Sequence, residues 1–445
     1  MSKRLVILGG GESGVGAALL AKQKGYDVVL MDEGSLKDGY RKELDEAGIA
    51  FYSNGVDEAV LLKADEVVKS PGIPENNEWV QLIRKNGIPL IGEIELAYRH
   101  KGASKVIAVT GSNGKSTTTA LIYHICKTAA LDCALVGNIG YSFAKQIAED
   151  PKPLYVAEIS SFQLDDIVTF KPDVAVLLNI TEDHLDRYEY RFENYVKSKF
   201  RITMNQNSND HFIYNLDDEV ITGYLQRNKI FSNQLPISMK QKVVKGGYIQ
   251  NDELNVNAGS EQQSMSIYDF ALKGKHNQYN TMAACVAGAT MDIRKNKIRE
   301  AVQTFNNLEH RMESVATVRG VEFINDSKAT NVNSTWYALE SMTRPTVLIL
   351  GGIDKGNDYS LIKELVQEKV KAIVCMGTEN QKIHEAFQGL VPTVDTASAE
   401  EAVRASYQMA VPGDVVLLSP ACASFDLFRN YEDRGNQFKE AVKNL

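Results

Sequence analysis

The chain has 445 residues, of which 44% are hydrophobic and 24% charged, and its 49 basic and 57 acidic side chains give a formal net charge of −8. This composition suits an ordinary globular protein of about three domains at ~150 residues each. It excludes the broad basic face of a nucleic-acid binder, while leaving room for a local cradle for anions. Five cysteines (Cys126, Cys133, Cys285, Cys375, Cys422) are scattered without metal-ligand spacing and read as reduced thiols of a cytoplasmic protein. The first apolar run is too short for a signal peptide, and no stretch approaches the ~20 apolar residues of a membrane span. The expectation is a cytoplasmic protein with no membrane span, acting as a monomer.

In chain order, RLVILG (4–9), DVVLMD (27–32), EVVKS (66–70) and PLIG (89–92) read as strands separated by helical segments such as AALLAKQKG (17–25). KVIAVT (105–110) opens a second sheet, continued by LYVAEIS (154–160) and DVAVLLNI (173–180). From about 205 to 270 the chain turns polar, and alternating pieces such as GYIQNDELNVN (247–257) suggest a small antiparallel sheet. TVLILGG (346–352), KAIVCMG (371–377) and DVVLLSP (414–420) build a last α/β unit. Short β-branched runs alternating with helices predict an α/β protein with parallel sheets. Three domains are expected, at 1–95, 96–309 and 310–445: an N-terminal Rossmann-like half, a central P-loop-type ATPase sheet carrying the small antiparallel sheet, and a C-terminal Rossmann-like domain.

Two glycine loops interrupt this pattern. Gly9–Gly14 (GGGESG) fits GxGxxG between a strand and a helix, with Asp32 at the end of the next strand. Glycines there let backbone approach a phosphate at a helix N-terminus, and the acid accepts a ribose hydroxyl. A whole dinucleotide fold needs two such halves, however, and the chain reaches another phosphate loop before a second half fits. A half-site for one nucleotide-like group suits the segment better, and a simple tight turn would leave Asp32 unexplained.

The second loop, VIAVTGSNGKSTTT (106–119), is a strand running into GxxGK[ST] and a helix, with Val109 where the full P-loop pattern has glycine. Backbone amides at a helix N-terminus cradle the β- and γ-phosphates of a nucleoside triphosphate, Lys115 adds a point charge, and Ser116 offers a hydroxyl to Mg²⁺.

TGSNGKST (110–117) resembles the ATP loop of the Mur ligases, and the resemblance runs along the chain in order. It continues through Glu158 in AEISSFQL, His184 in NITEDHLDRY, Lys199 in YVKSKFRI, GKHNQYN (274–280) and EHR (309–311). NDSKATN (325–331), GGIDKG (351–356) and SPACASFD (419–426) narrow it to the branch that adds D-glutamate to UDP-N-acetylmuramoyl-L-alanine. The resemblance implies phosphorylation of the substrate carboxylate by ATP to an acyl phosphate, attack by the amine of D-glutamate, and release of ADP and phosphate.

It also implies roles. Gly111, Ser112, Asn113, Gly114, Lys115, Ser116 and Thr117 would hold the phosphates of ATP, with Asn277, Asn280, His310, Arg311 and Asp326 about the rest of the nucleotide. Ser116 and Glu158 would bind one Mg²⁺; His184, with Asp183 beside it, would bind a second. Lys199 would be carbamylated to an anion positioning that second ion, with Lys197 an exposed neighbour. Lys115, Glu158, His184 and Lys199 would form the catalytic set. The uridine nucleotide would lie over Gly11, Glu12, Ser13 and Gly14, beside Asp32 and the turn Ser70, Pro71, Gly72, with Asn138 near the muramoyl carboxylate. Lys328, Thr330, Lys355, Ser424 and Tyr431 would surround D-glutamate, a dicarboxylate needing cationic and hydroxyl partners. Glu12, Glu33–Gly34 and Tyr431 depart from the residues usual at those positions.

Folylpolyglutamate synthetase shares the ATP loop, but the Gly9–Gly14 loop, Asp32 and the Ser70–Gly72 turn have no place in it. A nucleotide switch or transporter ATPase would need neither Lys199 nor SPACAS.

Overall fold

The computed structural model describes residues 2–259, 262–306, 309–354 and 356–445. Its strands make three sheets. The first holds β1 (Arg4–Leu8), β2 (Asp27–Asp32), β3 (Ala50–Ser53), β4 (Glu66–Lys69) and β5 (Leu90–Gly92), all parallel in the order β3-β2-β1-β4-β5. β1 reads RLVIL, and its apolar residues are buried on both faces because helices cover both sides. The strand order reverses between β1 and β4, and the crevice beyond the carboxyl ends of such a pair is where open α/β sheets bind ligands.

The second sheet holds β6 (Lys105–Thr110), β7 (Cys133–Gly137), β8 (Leu154–Glu158), β9 (Val174–Leu177), β10 (His211–Asn215), β11 (Asn233–Ser238), β12 (Gly246–Gln250), β13 (Glu253–Asn257) and β14 (Gln263–Ser266). Their order is β14-β13-β12-β11-β10-β9-β6-β8-β7. The antiparallel strands expected from the polar segment are present as β12, β13 and β14. They continue the edge of the central sheet, because β12 pairs in parallel with β11 through Ile237↔Gly247 and Ser238↔Tyr248.

The third sheet holds β15 (Glu313–Val318), β16 (Val321–Asn325), β17 (Thr346–Leu350), β18 (Val370–Met376), β19 (Thr393–Thr396) and β20 (Val415–Leu418), ordered β15-β16-β20-β17-β18-β19. All its pairings are parallel except β15 with β16. Two apolar clusters, one around Leu348, Ile362 and Phe387 and one around Phe323, Val403 and Phe438, cover its two faces.

By contacts the chain divides into two compact units, Met1–Ala271 with Tyr279–Phe305 and Leu272–Gln278 with Asn306–Leu445. Within the first unit, two buried carboxylates join the first two sheets. Glu95, fully buried on the helix Glu93–His100, accepts hydrogen bonds from the amides of Val168, Thr169 and Phe170 at 2.8–3.0 Å and from the Thr169 hydroxyl at 2.6 Å. Those bonds outweigh the burial that opposes them and hold its carboxyl below the ordinary range. Lys69, at the end of β4, forms a buried ion pair with Asp166 at 2.9 Å. All five cysteines are buried free thiols. No helix among the described residues is long and apolar enough to cross a membrane.

Candidate active site

The phosphate loop leaves β6 at Gly111 and enters the helix Lys115–Thr128 through Gly114, whose φ of +83° suits glycine. A Cβ there would also strike the side-chain amide of Asn280, which lies against the loop. Two side-chain pairs shape the loop. Asn179 Oδ1 accepts from the Asn113 amide at 2.8 Å while Asn179 Nδ2 donates to the Asn113 carbonyl at 3.0 Å. Ser112 Oγ donates to the Thr181 carbonyl at 2.9 Å and accepts from the Thr181 amide at 2.9 Å. Lys115 Nζ donates to the Gly111 and Ser112 carbonyls at 2.9 and 2.8 Å, and Ser116 and Thr117 are buried behind it.

Glu158 ends β8, next to β6 in the sheet, with Val109 as its register partner. It is 1% exposed. Its Oε1 accepts from Asn138 Nδ2 at 2.6 Å, and its backbone carbonyl accepts from the Asn138 amide at 2.8 Å. Oε2 is buried without a hydrogen-bond partner. An orphaned carboxylate oxygen beside a phosphate loop fits an oxygen-seeking divalent cation such as Mg²⁺.

Lys199, at 1% exposure, reaches the same strand ends: its Nζ donates to the Gly111 carbonyl at 2.9 Å and to Thr110 Oγ1 at 3.3 Å. Burial pulls its ammonium well below the ordinary lysine range and Lys115 adds to the effect, against the opposing carboxylates of Asp183, Glu158 and Asp165. Lys197, two residues earlier, is exposed. His184 has a left-handed backbone (φ +52°), with its Nε2 3.6 Å from Asp183 Oδ2 and its ring 5.1 Å from that of Phe162.

The first glycine loop sits at the carboxyl end of β1. Asp32 is held there by the Gly10 amide on one oxygen and by the Gly34 amide, at 2.7 Å, on the other. Gly14 packs so close to the Gly9 carbonyl that no side chain fits, and Ser70 Oγ donates to that carbonyl at 3.3 Å. The two unusual acids have other partners. Glu12 accepts from the Ser142 amide at 3.2 Å. Glu33 accepts from Trp79 Nε1 at 3.1 Å and Asn77 Nδ2 at 3.2 Å.

In the second unit, Asp326 follows β16 and accepts from Ser419 Oγ at 3.0 Å and the Met312 amide at 3.2 Å. Burial raises its carboxyl to about 6, with Arg311 opposing. The His310 ring is buried against Gly435, its Nδ1 2.9 Å from Asn325 Nδ2. Asn277 Nδ2, near the start of the helix Lys275–Thr290, donates at 2.7 Å to the carbonyl of Lys273 just before it. Lys328 Nζ lies 5.3 Å from the centre of the Tyr431 ring, Ser424 is buried and Thr330 half-buried. Lys355 lies outside the described residues.

Sequence reading missed several contributors. Asn179 was passed over because its bond to the loop spans 66 residues. Arg187 stacks 4.4 Å from the Phe162 ring and reaches the Pro71 carbonyl at 3.4 Å. With Lys69, Arg84 and Lys197 these two line a recess of about 380 Å³. The run EDHLDRY carried the signal for Arg187. A larger cleft of about 690 Å³, lined by Gly377, His384 and Asp395 among others, contains none of the expected site residues.

Three family models match the chain: Mur ligase MurD-like, N-terminal domain over 3–92, Mur ligase middle domain over 109–288, and Mur ligase, glutamate ligase domain over 310–422. Proteins from Christiangramia forsetii, Bacteroides fragilis and Cytophaga hutchinsonii, each named UDP-N-acetylmuramoylalanine–D-glutamate ligase, are 50% identical to it over the whole of both chains. Among solved structures, the fold resembles a UDP-N-acetylmuramate–alanine ligase from Thermotoga maritima (16% identity, all of both chains, TM-score 0.63). It also resembles a MurF ligase from that organism in complex with ADP (16% identity, 94% and 95% of the chains, TM-score 0.60). With full-length relatives at half identity and a model matched in each of its three α/β sheets, the chain belongs to the Mur ligase family.

Proposed function

We propose that this protein is an ATP-dependent amide ligase that joins D-glutamate to UDP-N-acetylmuramoyl-L-alanine, releasing ADP and phosphate, in peptidoglycan synthesis. The observation that carries this reading is 50% identity, end to end, with relatives bearing that activity in their names. The geometry supports the chemistry. Amides of Gly111–Thr117 and the Lys115 ammonium hold the terminal phosphates of ATP and neutralise charge during phosphoryl transfer to the substrate carboxylate. Ser116 and Glu158 would hold one Mg²⁺, and His184 and a carbamylated Lys199, with Asp183 beside them, would hold a second; the ions would supply positive charge against the phosphates. Asn138 orients Glu158 and faces the muramoyl carboxylate.

The division into 1–95, 96–309 and 310–445 separates the roles. The first domain takes the UDP group at Gly11–Gly14, Asp32 and Ser70–Gly72, and the last takes D-glutamate at Lys328, Thr330, Lys355, Ser424 and Tyr431. Asn277, Asn280, His310, Arg311 and Asp326 are assigned to the nucleotide, His310 through a ring that is itself buried.

Phosphate release measured with the UDP-sugar while the amino acid is varied tests the proposal. Turnover should require both the UDP-sugar and D-glutamate. Turnover with L-glutamate and a folate, and none with the UDP-sugar, would overturn it.

A further inference from the structure

Arg434, at 1% exposure, heads the largest fully buried side chains among the described residues. It lies in the first turn of the helix Tyr431–Lys443, which Asn430 caps by accepting from the Asp433 amide at 2.7 Å. A guanidinium carries five donors in a rigid planar fork and no acceptor, so burying it demands acceptors in matching directions.

Three segments supply them. Nε donates to Ser327 Oγ at 3.0 Å and Nη2 to the Ser327 carbonyl at 2.8 Å. Nη1 and Nη2 both donate to the Cys422 carbonyl at 3.2 Å, and Nη1 reaches the Gly351 carbonyl at 3.5 Å. Ser327 follows β16, Cys422 follows β20 and Gly351 follows β17, and these three strands are neighbours in the sheet. They are also the strands whose ends lead into NDSKATN, SPACASFD and GGIDKG. The Ile353 and Ala423 backbones pair with each other at 2.9 and 3.2 Å, tying two of the segments together directly. No carboxylate forms an ion pair with Arg434 among the described residues; Asp426 and Asp326 act on its charge only through space, against the burial that opposes it.

We propose that Arg434 is the positioning residue of the amino-acid pocket: one side chain sets the relative places of the three strand-end segments that hold D-glutamate. This rests on the D-glutamate reading above. Lysine keeps the charge but presents a single point donor, so it cannot satisfy three segments at once.

The test is Arg434→Lys in the full chain, with Arg434→Gln as the variant that also removes the charge. Initial rates should show the KM for D-glutamate rising about tenfold or more, kcat falling less, and the KM for the UDP-sugar staying within about twofold. Hydrogen exchange in the ligand-free protein should quicken at the Ile353 and Ala423 amides while the amides of β18 stay protected. A folded Arg434→Lys variant with wild-type KM for D-glutamate overturns the proposal, as does an equal rise in every KM. If the wild-type enzyme ignores D-glutamate, the functional reading falls instead, and unchanged exchange at Ile353 and Ala423 would then overturn the brace on its own.

Discussion

The Asn138 side chain donates to one oxygen of the Glu158 carboxylate at 2.6 Å and leaves the other oxygen buried with no hydrogen-bond partner. Partners behind a metal ligand commonly govern affinity by 10–100-fold. Asn138→Ala should therefore raise the Mg²⁺ concentration needed for half-maximal turnover by about tenfold or more, and excess Mg²⁺ should restore much of the rate. A variant whose Mg²⁺ dependence matches wild type would show that Asn138 does not orient the ligand.

Lys199 is buried and pressed by Lys115, which together outweigh the carboxylates of Asp183, Glu158 and Asp165 and favour the neutral amine that carbamylation needs. Lys199→Ala should lose most activity, Lys199→Arg should recover none of it, and added formate should restore part of the rate in the alanine variant by filling the vacated space. Lys197→Ala should behave as wild type, since that side chain is exposed. Wild-type turnover by Lys199→Arg would sink the carbamate, because a guanidinium can neither form one nor bind a cation.

Lys115 folds over its own loop, bonded to the Gly111 and Ser112 carbonyls. Lys115→Ala should cut ATP-dependent turnover by a factor of ~10²–10³. UDP-substrate affinity should stay near wild type by calorimetry, because Gly11–Gly14 and Asp32 belong to another sheet. Loss of UDP-sugar binding in a folded variant would contradict the separation of the two sites.

Glu93 is buried against the Ser142 hydroxyl (2.7 Å) and the Ala144 amide (2.6 Å). Burial raises its carboxyl from 4.5 to about 7, despite those hydrogen bonds and with Glu12 adding to the rise. A raised acid makes the folded state bind the extra proton. Its contribution is complete below the unfolded value and is lost as pH climbs from 4.5 to 7, by up to about 3 kcal/mol. Glu93→Gln cannot ionise, so its stability relative to wild type should improve between pH 5 and pH 8 in urea unfolding. Parallel curves for the two proteins would refute the assignment.

The parts legible in sequence were contiguous ones. Strand, glycine loop and helix around Lys115 lie within one short run, as do those around Gly9–Gly14; the reversal of strand order beside the latter was not legible, because pairing between distant strands has no local signal. Lys199 was visible only by resemblance, since nothing local separates it from Lys197; burial does. The antiparallel strands were readable from alternation, but their attachment to the central sheet depends on the pairing of Ile237 with Gly247, which no periodicity reveals. Arg434 was invisible for the same reason: its partners lie 107, 83 and 12 positions away. In sequence it reads as one more charge on an amphipathic helix.

The buried pair of Lys69 and Asp166, together with the grip of Glu95 on residues 168–170, bears on how this protein can be cut or recombined. A fragment ending near residue 95 would carry Lys69 without its counter-ion and Glu95 without the amides it grips. In a chimera that rebuilt the contact without Asp166, leaving Lys69 buried alone would cost about 3–5 kcal/mol. The segment proposed to bind the UDP group is therefore not a portable module. A chimera that exchanged it for the equivalent piece of a relative would have to bring Asp166 and residues 168–170 along, although they lie beside the neighbouring sheet.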